Sequence, residues 1–184
     1  QGLLVFTAPK DFDDSDSVLP EPMMSWKTAL KGRGTYVVLT NDANTRRVCQ
    51  DNNIPTVCVE HTDEGVPLFN KMMHRMQRAI AKGIVAFVNS DIAVENFESL
   101  HDLLMQMQRQ PLEVRTTGEL NKPYKNTGLK SDDWFVYVVR RNIHQDGSRD
   151  LHDRGGYDFW AWNVDHTPLL PFDIPPFRFP FASY

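Results

Sequence analysis

Hydrophobic residues in the first half of the chain occur as short continuous runs, and turn-forming residues follow each run. The runs cover residues 3–6, 36–39, 56–59 and 84–88. A short apolar run bounded by turn residues is typical of a strand that is buried on both faces of a parallel sheet. The pattern therefore predicts buried strands at these four places.

The segments between these runs predict helices and one loop. The predicted helices cover residues 25–30, 43–51, 67–82 and 96–110. The two longest carry apolar side chains three and four positions apart, as expected of amphipathic helices. An acidic, turn-rich segment at 11–22 is predicted to be a surface loop. The alternation of strands and helices predicts an α/β fold, in which helices flank a mostly parallel central sheet.

The pattern changes after Pro111. Strands are predicted at 112–117, 134–139 and 157–162, loops at 118–133 and 140–156, and an irregular apolar segment at 167–184. The C-terminal half is therefore expected to mix strands with long loops. Because the chain has 184 residues, we expect a single domain with one half at 1–110 and another at 111–184.

Composition narrows the class of protein. The net charge of -4 argues against a nucleic-acid binder that relies on general positive charge. No apolar run approaches the roughly 20 residues that span a bilayer. The chain begins at Gln1, so a removed anchor stays possible. Cys49 and Cys58 match no metal motif, and isolated thiols favour a reduced compartment. A cytoplasmic setting is therefore favoured over a Golgi-type lumen.

Several familiar motifs are missing from the sequence. No Gly-x-Gly-x-x-Gly follows the first predicted strand, and no Walker-type Gly-Lys-Ser/Thr occurs. The Gly-x-Ser-x-Gly elbow of α/β-hydrolases and a His/Cys zinc cluster are missing too. These observations argue against dinucleotide cofactors, P-loop ATPases, α/β-hydrolases and zinc sites.

Polar residues follow three of the predicted strands at the point where each strand ends. They are Thr7 to Lys10, Thr40 to Asp42, and Asn89 to Asp91. Because the carboxyl ends of parallel strands meet at one edge, we expect these residues to converge where α/β sheets bind ligands. Such an edge could hold a base, a ribose and a diphosphate. The alternative is that these residues only turn the chain and cap the following helices.

Two kinds of charged residue fit a phosphate ligand at this edge. Asp91 could be the carboxylate through which Mg²⁺ bridges to substrate phosphates. The predicted helix at 67–82 carries a basic stripe, and from it Lys71 or Arg75 could contact phosphate or sugar oxygens. The alternative interpretation of the stripe is a solvated helix face.

Three segments resemble motifs of one family. They are Phe87-Val88-Asn89-Ser90-Asp91-Ile92, then Gly155-Gly156-Tyr157-Asp158-Phe159-Trp160-Ala161-Trp162, and the ending Ile174-Pro175-Pro176-Phe177 with Ala182-Ser183-Tyr184. The first lies where nucleotide-diphospho-sugar glycosyltransferases of the GT-A fold have their Asp-x-Asp motif. The second is similar to the Gly-x-Asp-Phe-Phe-x-Phe segment of several such enzymes. The third is like the stretch before an acceptor-binding helix. The sequence therefore resembles this family over most of its length.

The resemblance implies roles for the matching positions. Asp91 would hold Mn²⁺ or Mg²⁺ against the donor diphosphate, and Asn89 replaces the other acid of the motif, as a weaker metal ligand. Asp158 would bind the acceptor or act as general base. The other donor-side residues would be Thr7, Ala8, Pro9, Asn41, Asp42, Lys71, Arg75 and Ser90, and the acceptor-side residues Tyr157 and Trp160.

Several of these positions have simpler interpretations. Asp158 could satisfy nearby backbone donors. Trp160 and Trp162 could pack in the sheet instead of stacking on a sugar, because aromatic side chains dominate core burial. His152 and His166 could be metal ligands, but lone histidines in a polar loop are typically solvated.

The expected function is transfer of a sugar from a UDP- or GDP-sugar to a hydroxyl acceptor such as a glycan, with a divalent metal. One alternative is a nucleotide- or sugar-binding module without turnover, which Asn89 in place of an acid favours. The other is a nucleotidyltransferase. The usual glycine-rich, basic loop of those enzymes is not evident after the first strand, which argues against it.

Overall fold

The computed structural model describes residues 2–63, 65–110, 112–116, 125–131, 134–144, 146–151 and 157–164. The helices are α1 Glu21–Ala29, α2 Ala43–Asp51, α3 Phe69–Ala79 and α4 Phe97–Arg109. The strands are β1 Gly2–Thr7, β2 Thr35–Leu39, β3 Thr56–Val57, β4 Gly83–Val88, β5 Leu112–Thr116, β6 Lys125–Ser131, β7 Phe135–Val139, β8 Arg141–Ile143, β9 Arg149–Leu151 and β10 Tyr157–Asn163.

A six-stranded sheet organises the fold, with the strand order β3-β2-β1-β4-β10-β7. The four strands from the first half of the chain pair in parallel. Strand β10 runs antiparallel to both β4 and β7. The predicted α/β fold with a mostly parallel sheet is confirmed. The carboxyl ends of β4 and β7 lie at the same edge of the sheet as the start of β10.

Helices cover both faces of this sheet. On one face, α1 and α4 pack over inward side chains such as Val5 and Ile84, and Trp26 stacks on Phe159 with ring centroids 5.5 Å apart. On the other face, the methionine-rich side of α3 packs over Phe6 and Phe87. Every residue of β4 is buried, which fits its continuous apolar run.

Close strand contact requires glycine at the start of β4. Gly83 has φ of 128°, a backbone conformation that side chains with a Cβ rarely adopt. A Cβ at this position would collide with the carbonyl oxygen of Gly2. The register that pairs Gly2 with Gly83 therefore requires a residue without a Cβ at position 83.

Several predicted boundaries were wrong. Helix α1 begins at Glu21 instead of Ser25, because Pro22 fits the first turn of a helix, where no N–H is needed. Strand β3 has only two residues. The predicted loop at 118–133 contains β6, and the predicted loop at 140–156 contains the β8–β9 hairpin. These polar strands carry no apolar run, so only their pairing reveals them.

Some predictions lie outside the described residues. These are the Gly155-Gly156 pair, His152, His166 and the segment at 167–184, which includes the third motif. Within the part of the chain that the structure describes, no helix is long and apolar enough to cross a membrane.

Candidate functional site

A cleft of about 810 Å³ opens where β4 and β7 end and β10 begins. Its wall includes the edge of the core at Trp26 and Phe159. The charged side chains that line it are Asp91, Glu95, Arg140, Arg141, Arg149 and Asp158. The cleft thus brings together Asp91 and Asp158, which lie far apart in the chain, and their role at a ligand site stays a prediction.

Asp158 is the most enclosed acid of this cleft, with 7% of the residue exposed. Its Oδ1 accepts a hydrogen bond of 2.6 Å from Asn89 Nδ2. Its Oδ2 lies 3.5 Å from Arg140 Nη1. Both Asp158 Oδ2 and Arg140 Nε are buried and have no hydrogen-bond partner among the described residues. The opposite charges of the two side chains partly compensate the enclosure of these atoms.

A β-bulge places Asp158 in the cleft. Tyr157 pairs with Val139 and Phe159 with Val138, so the register of β10 against β7 shifts around Asp158. A bulge inserts one extra residue and redirects its side chain, and such irregularities are common beside active sites. Asp158 and its neighbour Phe159 consequently line the same cleft.

The loop after β4 is held on α1. Trp26 Nε1 donates to the Ile92 carbonyl oxygen at 2.8 Å, and Ser25 Oγ accepts from the Val94 N–H at 3.0 Å. The Ile92 N–H also donates to the Asn89 carbonyl oxygen at 3.2 Å, which closes a turn. The exposed Asp91 is therefore carried by a loop that is fixed at both sides.

The residues of the cleft fit a hard divalent cation only in a site that they share with substrate phosphates and water. Among the described residues, no three His, Cys, Asp or Glu side chains are grouped to hold a metal. Mg²⁺, however, is often bound by one or two carboxylates together with substrate phosphates and water. Asp91 is exposed at the cleft and has the right chemistry for such a shared site. Asn89 directs its amide at Asp158.

Three arginines add positive charge to the cleft, and the sequence did not single them out. Arg149 is held by Glu95 through two hydrogen bonds of 2.5 and 3.0 Å. Arg140 follows β7, and Arg141 begins β8. All three come from the segment at 140–156, which sequence reasoning treated as a polar loop. Their only sequence signal was the charge of that segment.

Three of the other donor-side residues line a second pocket. This pocket, of about 660 Å³, lies beside α3, and its lining includes Asn41, Lys71 and Arg75. Its lining shares no residue with that of the cleft. Their predicted contacts with a donor stay predictions.

The residues after β2 also have structural roles. The Asn41 side chain donates to the Val59 carbonyl oxygen at 2.7 Å and accepts from the Val59 N–H at 3.1 Å, which extends the pairing beyond β3. Asp42 is the N-cap of α2, and its Oδ2 accepts from the Thr45 N–H at 2.6 Å. Hydrogen bonds from this backbone lower the pKa of Asp42. The capping alternative considered from the sequence is therefore confirmed for Asp42.

The end of β1 is enclosed. Thr7 is fully buried, and Ala8 and Pro9 are buried as well. Their predicted contact with a nucleotide stays a prediction.

Two acceptor-side predictions fall on β10. Trp160 packs against Phe69 and Phe87 with ring centroids 5.5 and 5.9 Å away, on the α3 face of the sheet. Trp162 is buried in the same cluster. Trp160 therefore contributes to the core, and it is not part of the cleft lining. The side chain of Tyr157 lies outside the described residues.

The fold and the cleft together define an α/β protein with a charged crevice beyond the carboxyl ends of its parallel strands, where open α/β sheets bind ligands. No family model and no curated protein matches the chain. One similar solved structure is described as CMP:2-keto-3-deoxy-manno-octonic acid synthetase complexed with CTP. It has 13% sequence identity and a TM-score of 0.46, and the match covers 88% of this chain and 74% of that chain. Similarity at this level does not identify a function, which must be sought in the geometry of the cleft.

Proposed function

We propose that this protein is a glycosyltransferase that moves a sugar from a nucleoside-diphosphate sugar to a hydroxyl acceptor in the cleft. The observation that carries the proposal is the meeting of Asp91, Asp158 and the arginines at one edge of the sheet. An exposed carboxylate that can hold a divalent cation, together with cationic side chains, suits a diphosphate. An enclosed carboxylate suits proton transfer.

Asp158 has the position of a general base. An acceptor hydroxyl that approaches the Asp158 carboxylate from the cleft would give its proton to the carboxylate as its oxygen attacks the anomeric carbon of the donor. The bond from that carbon to the diphosphate oxygen breaks, and the nucleoside diphosphate leaves with the electron pair. Arg141 and Arg149 would stabilise the charge that develops on the diphosphate.

Asp91 would hold Mn²⁺ or Mg²⁺ against the donor phosphates. When bound, the cation supplies charge neutralisation at the leaving diphosphate. The predicted donor-side residues Lys71 and Arg75 line the second pocket, where they supply positive charge, and their contact with a donor stays a prediction. The acceptor side would then be the β7–β10 wall of the cleft.

A thermal-shift panel of nucleoside diphosphates and their sugars, with and without Mn²⁺, tests this function. We expect UDP or GDP compounds to raise Tm, more strongly with Mn²⁺, because a ligand that binds only the folded state stabilises it. Asp91→Ala should abolish the Mn²⁺-dependent part of the shift. Asp102→Ala is the matched control, since that side chain is 86% exposed on α4 and is not part of the cleft lining. Nucleotide binding that is unchanged by Asp91→Ala would count strongly against the proposal.

The arginines that line the cleft also favour a second candidate, a nucleotidyltransferase, because cationic side chains suit the phosphates of a nucleoside triphosphate. That enzyme would release pyrophosphate from a nucleoside triphosphate, whereas a glycosyltransferase would release a nucleoside diphosphate. A pyrophosphate assay with each of the four common nucleoside triphosphates separates the two.

A binding module without turnover is the third candidate, and it is favoured by Asn89 in place of a metal-binding acid. It predicts the thermal shift but no donor hydrolysis at high protein and Mn²⁺ concentrations. Donor hydrolysis that disappears in Asp158→Asn would exclude it.

A further inference from the structure

Asn89 and Asp158 are joined by two hydrogen bonds where β4 meets β10. The Asn89 N–H donates to the Asp158 carbonyl oxygen at 2.9 Å, and Asn89 Nδ2 donates to Asp158 Oδ1 at 2.6 Å. The backbone bond continues the pairing that links Val88 with Phe159, and it needs no particular side chain. The side-chain bond is different, because it needs a neutral donor of the length of asparagine at position 89.

The surroundings of Asp158 make this bond important. The residue is 7% exposed, and an enclosed charge is costly unless hydrogen bonds or an opposite charge stabilise it. Asn89 donates to Oδ1, and Arg140 faces Oδ2. The other charged groups that line the cleft are Asp91, Glu95, Arg141 and Arg149, and Glu95 and Arg149 pair with each other.

We propose that Asn89 is a positioning residue, whose amide holds the Asp158 carboxylate in its orientation at the edge of the cleft. A second metal-binding acid at this strand end would have to be an aspartate at position 89. Its carboxylate would lie about one hydrogen-bond length from the carboxylate of Asp158. Two carboxylates at that distance cannot both ionise without strong repulsion, so the pair retains a proton. The neutral residue at the end of β4 therefore follows from the charge of its partner on β10.

Asn89→Asp tests this inference without any substrate. In the variant, the folded state binds a proton that the unfolded state releases above about pH 4, so its stability falls as pH rises. We expect its Tm to lie roughly 5–15 °C below wild type at pH 8, and the difference to shrink clearly at pH 5. Wild type measured at the same pH values is the reference.

The exchange variant Asn89→Asp/Asp158→Asn supplies the matched rescue. It restores one amide and one carboxylate with their positions reversed, and the amide oxygen introduced on β10 can face Arg140 in place of the carboxylate oxygen. We expect it to regain most of the Tm that Asn89→Asp loses at pH 8. If Asn89→Asp does not fold at pH 8, its Tm at pH 5 and the rescue at pH 8 still decide the matter.

A carboxyl ¹³C titration gives a readout that a packing defect would not change. In protein labelled at the aspartate carboxyl carbons, Asn89→Asp should add a titration above the ordinary range of about 3.9, and the exchange variant should lack it. An equal loss of Tm at both pH values, or an exchange variant no more stable than Asn89→Asp, would overturn the inference.

The catalytic consequence rests on the function proposed above, whereas these three measurements do not. If Asp158 is the general base, the exchange variant should be stable but inactive, because the carboxylate has moved to β4. Stability that follows the expected pattern in a protein without transferase activity would refute the proposed function and leave the Asn89–Asp158 pair established.

Discussion

Removing the guanidinium beside Asp158 gives the sharpest test of how the cleft is built. Arg140 Nη1 lies 3.5 Å from Asp158 Oδ2, and the two side chains are 31% and 10% exposed. Arg140→Met keeps much of the side-chain length and removes the charge. The carboxylate then stays enclosed and keeps its hydrogen bond from Asn89, but it loses the positive charge that faces it.

The magnitude follows from the distance and the exposure. Two unit charges at about 3.5 Å attract by roughly 1 kcal/mol in water and by about 5 kcal/mol at an effective dielectric constant of 20. Breaking a fully buried pair typically costs about 3–5 kcal/mol, and an exposed pair contributes about 0–1 kcal/mol. Because Arg140 is partly exposed, solvent screens the attraction, and we expect a loss of about 2 kcal/mol at pH 7.

Urea denaturation at pH 7 measures this loss, provided that the slope against urea stays constant. A double-mutant cycle with Asp158→Asn isolates the pair, since the cost of Arg140→Met should fall to below about 1 kcal/mol when Asp158 is already neutral. Arg141→Met is the matched control. It lines the same cleft and is exposed, so we expect a change within about 0.5 kcal/mol.

An equal cost of Arg140→Met with and without the Asp158 carboxylate would refute this reasoning. It would mean that the arginine stabilises the protein through the packing of its aliphatic part, and that the 3.5 Å contact contributes no electrostatic coupling.

Two further predictions concern the strand ends. Asp42→Ala should cost about 1 kcal/mol at pH 7 by removing the cap of α2, whereas Asp42→Asn should retain most of that stability. Because folding lowers the pKa of Asp42, the stability that its charge contributes should be lost as pH falls through the folded-state pKa. Urea denaturation that shows the same stability difference between wild type and Asp42→Ala at pH 7 and at pH 3 would contradict this. Gly83→Ala should cost roughly 2–4 kcal/mol of stability, because the added Cβ meets the Gly2 carbonyl oxygen. Gly2→Ala is the control and should be nearly neutral, because open space surrounds its Cβ. Equal unfolding midpoints for the two variants would show that the β1–β4 contact does not restrict the residue at position 83.

Local patterns were sufficient where burial is strong. The apolar runs at β1, β2 and β4 mark strands because both faces of a parallel sheet exclude water. The bounds of α2 were predicted without error, because Asp42 caps it and the chain turns just after Asp51. Patterns were not sufficient for β6, β8 and β9, whose polar sequences become strands only through pairing with a neighbour.

The residues of the candidate site also differ in whether local sequence could predict them. Asp91 was predictable, because a turn of polar residues directly follows the most buried strand. Asp158 was found only through a family resemblance, and neither the bulge that redirects it nor Arg140 opposite it has a local signal. The split of the expected donor residues between the cleft and the α3 pocket was also invisible in the sequence.

Local sequence patterns were thus enough to predict the α/β layering and the polar edge, because both depend on which side chains each short segment must bury. The contacts of Asn89 with Asp158 and of Arg149 with Glu95 became visible only in the folded arrangement. Those contacts join residues 69 and 54 positions apart. They arise from strand order and register, which depend on the pairing of whole strands and leave no mark on any single segment.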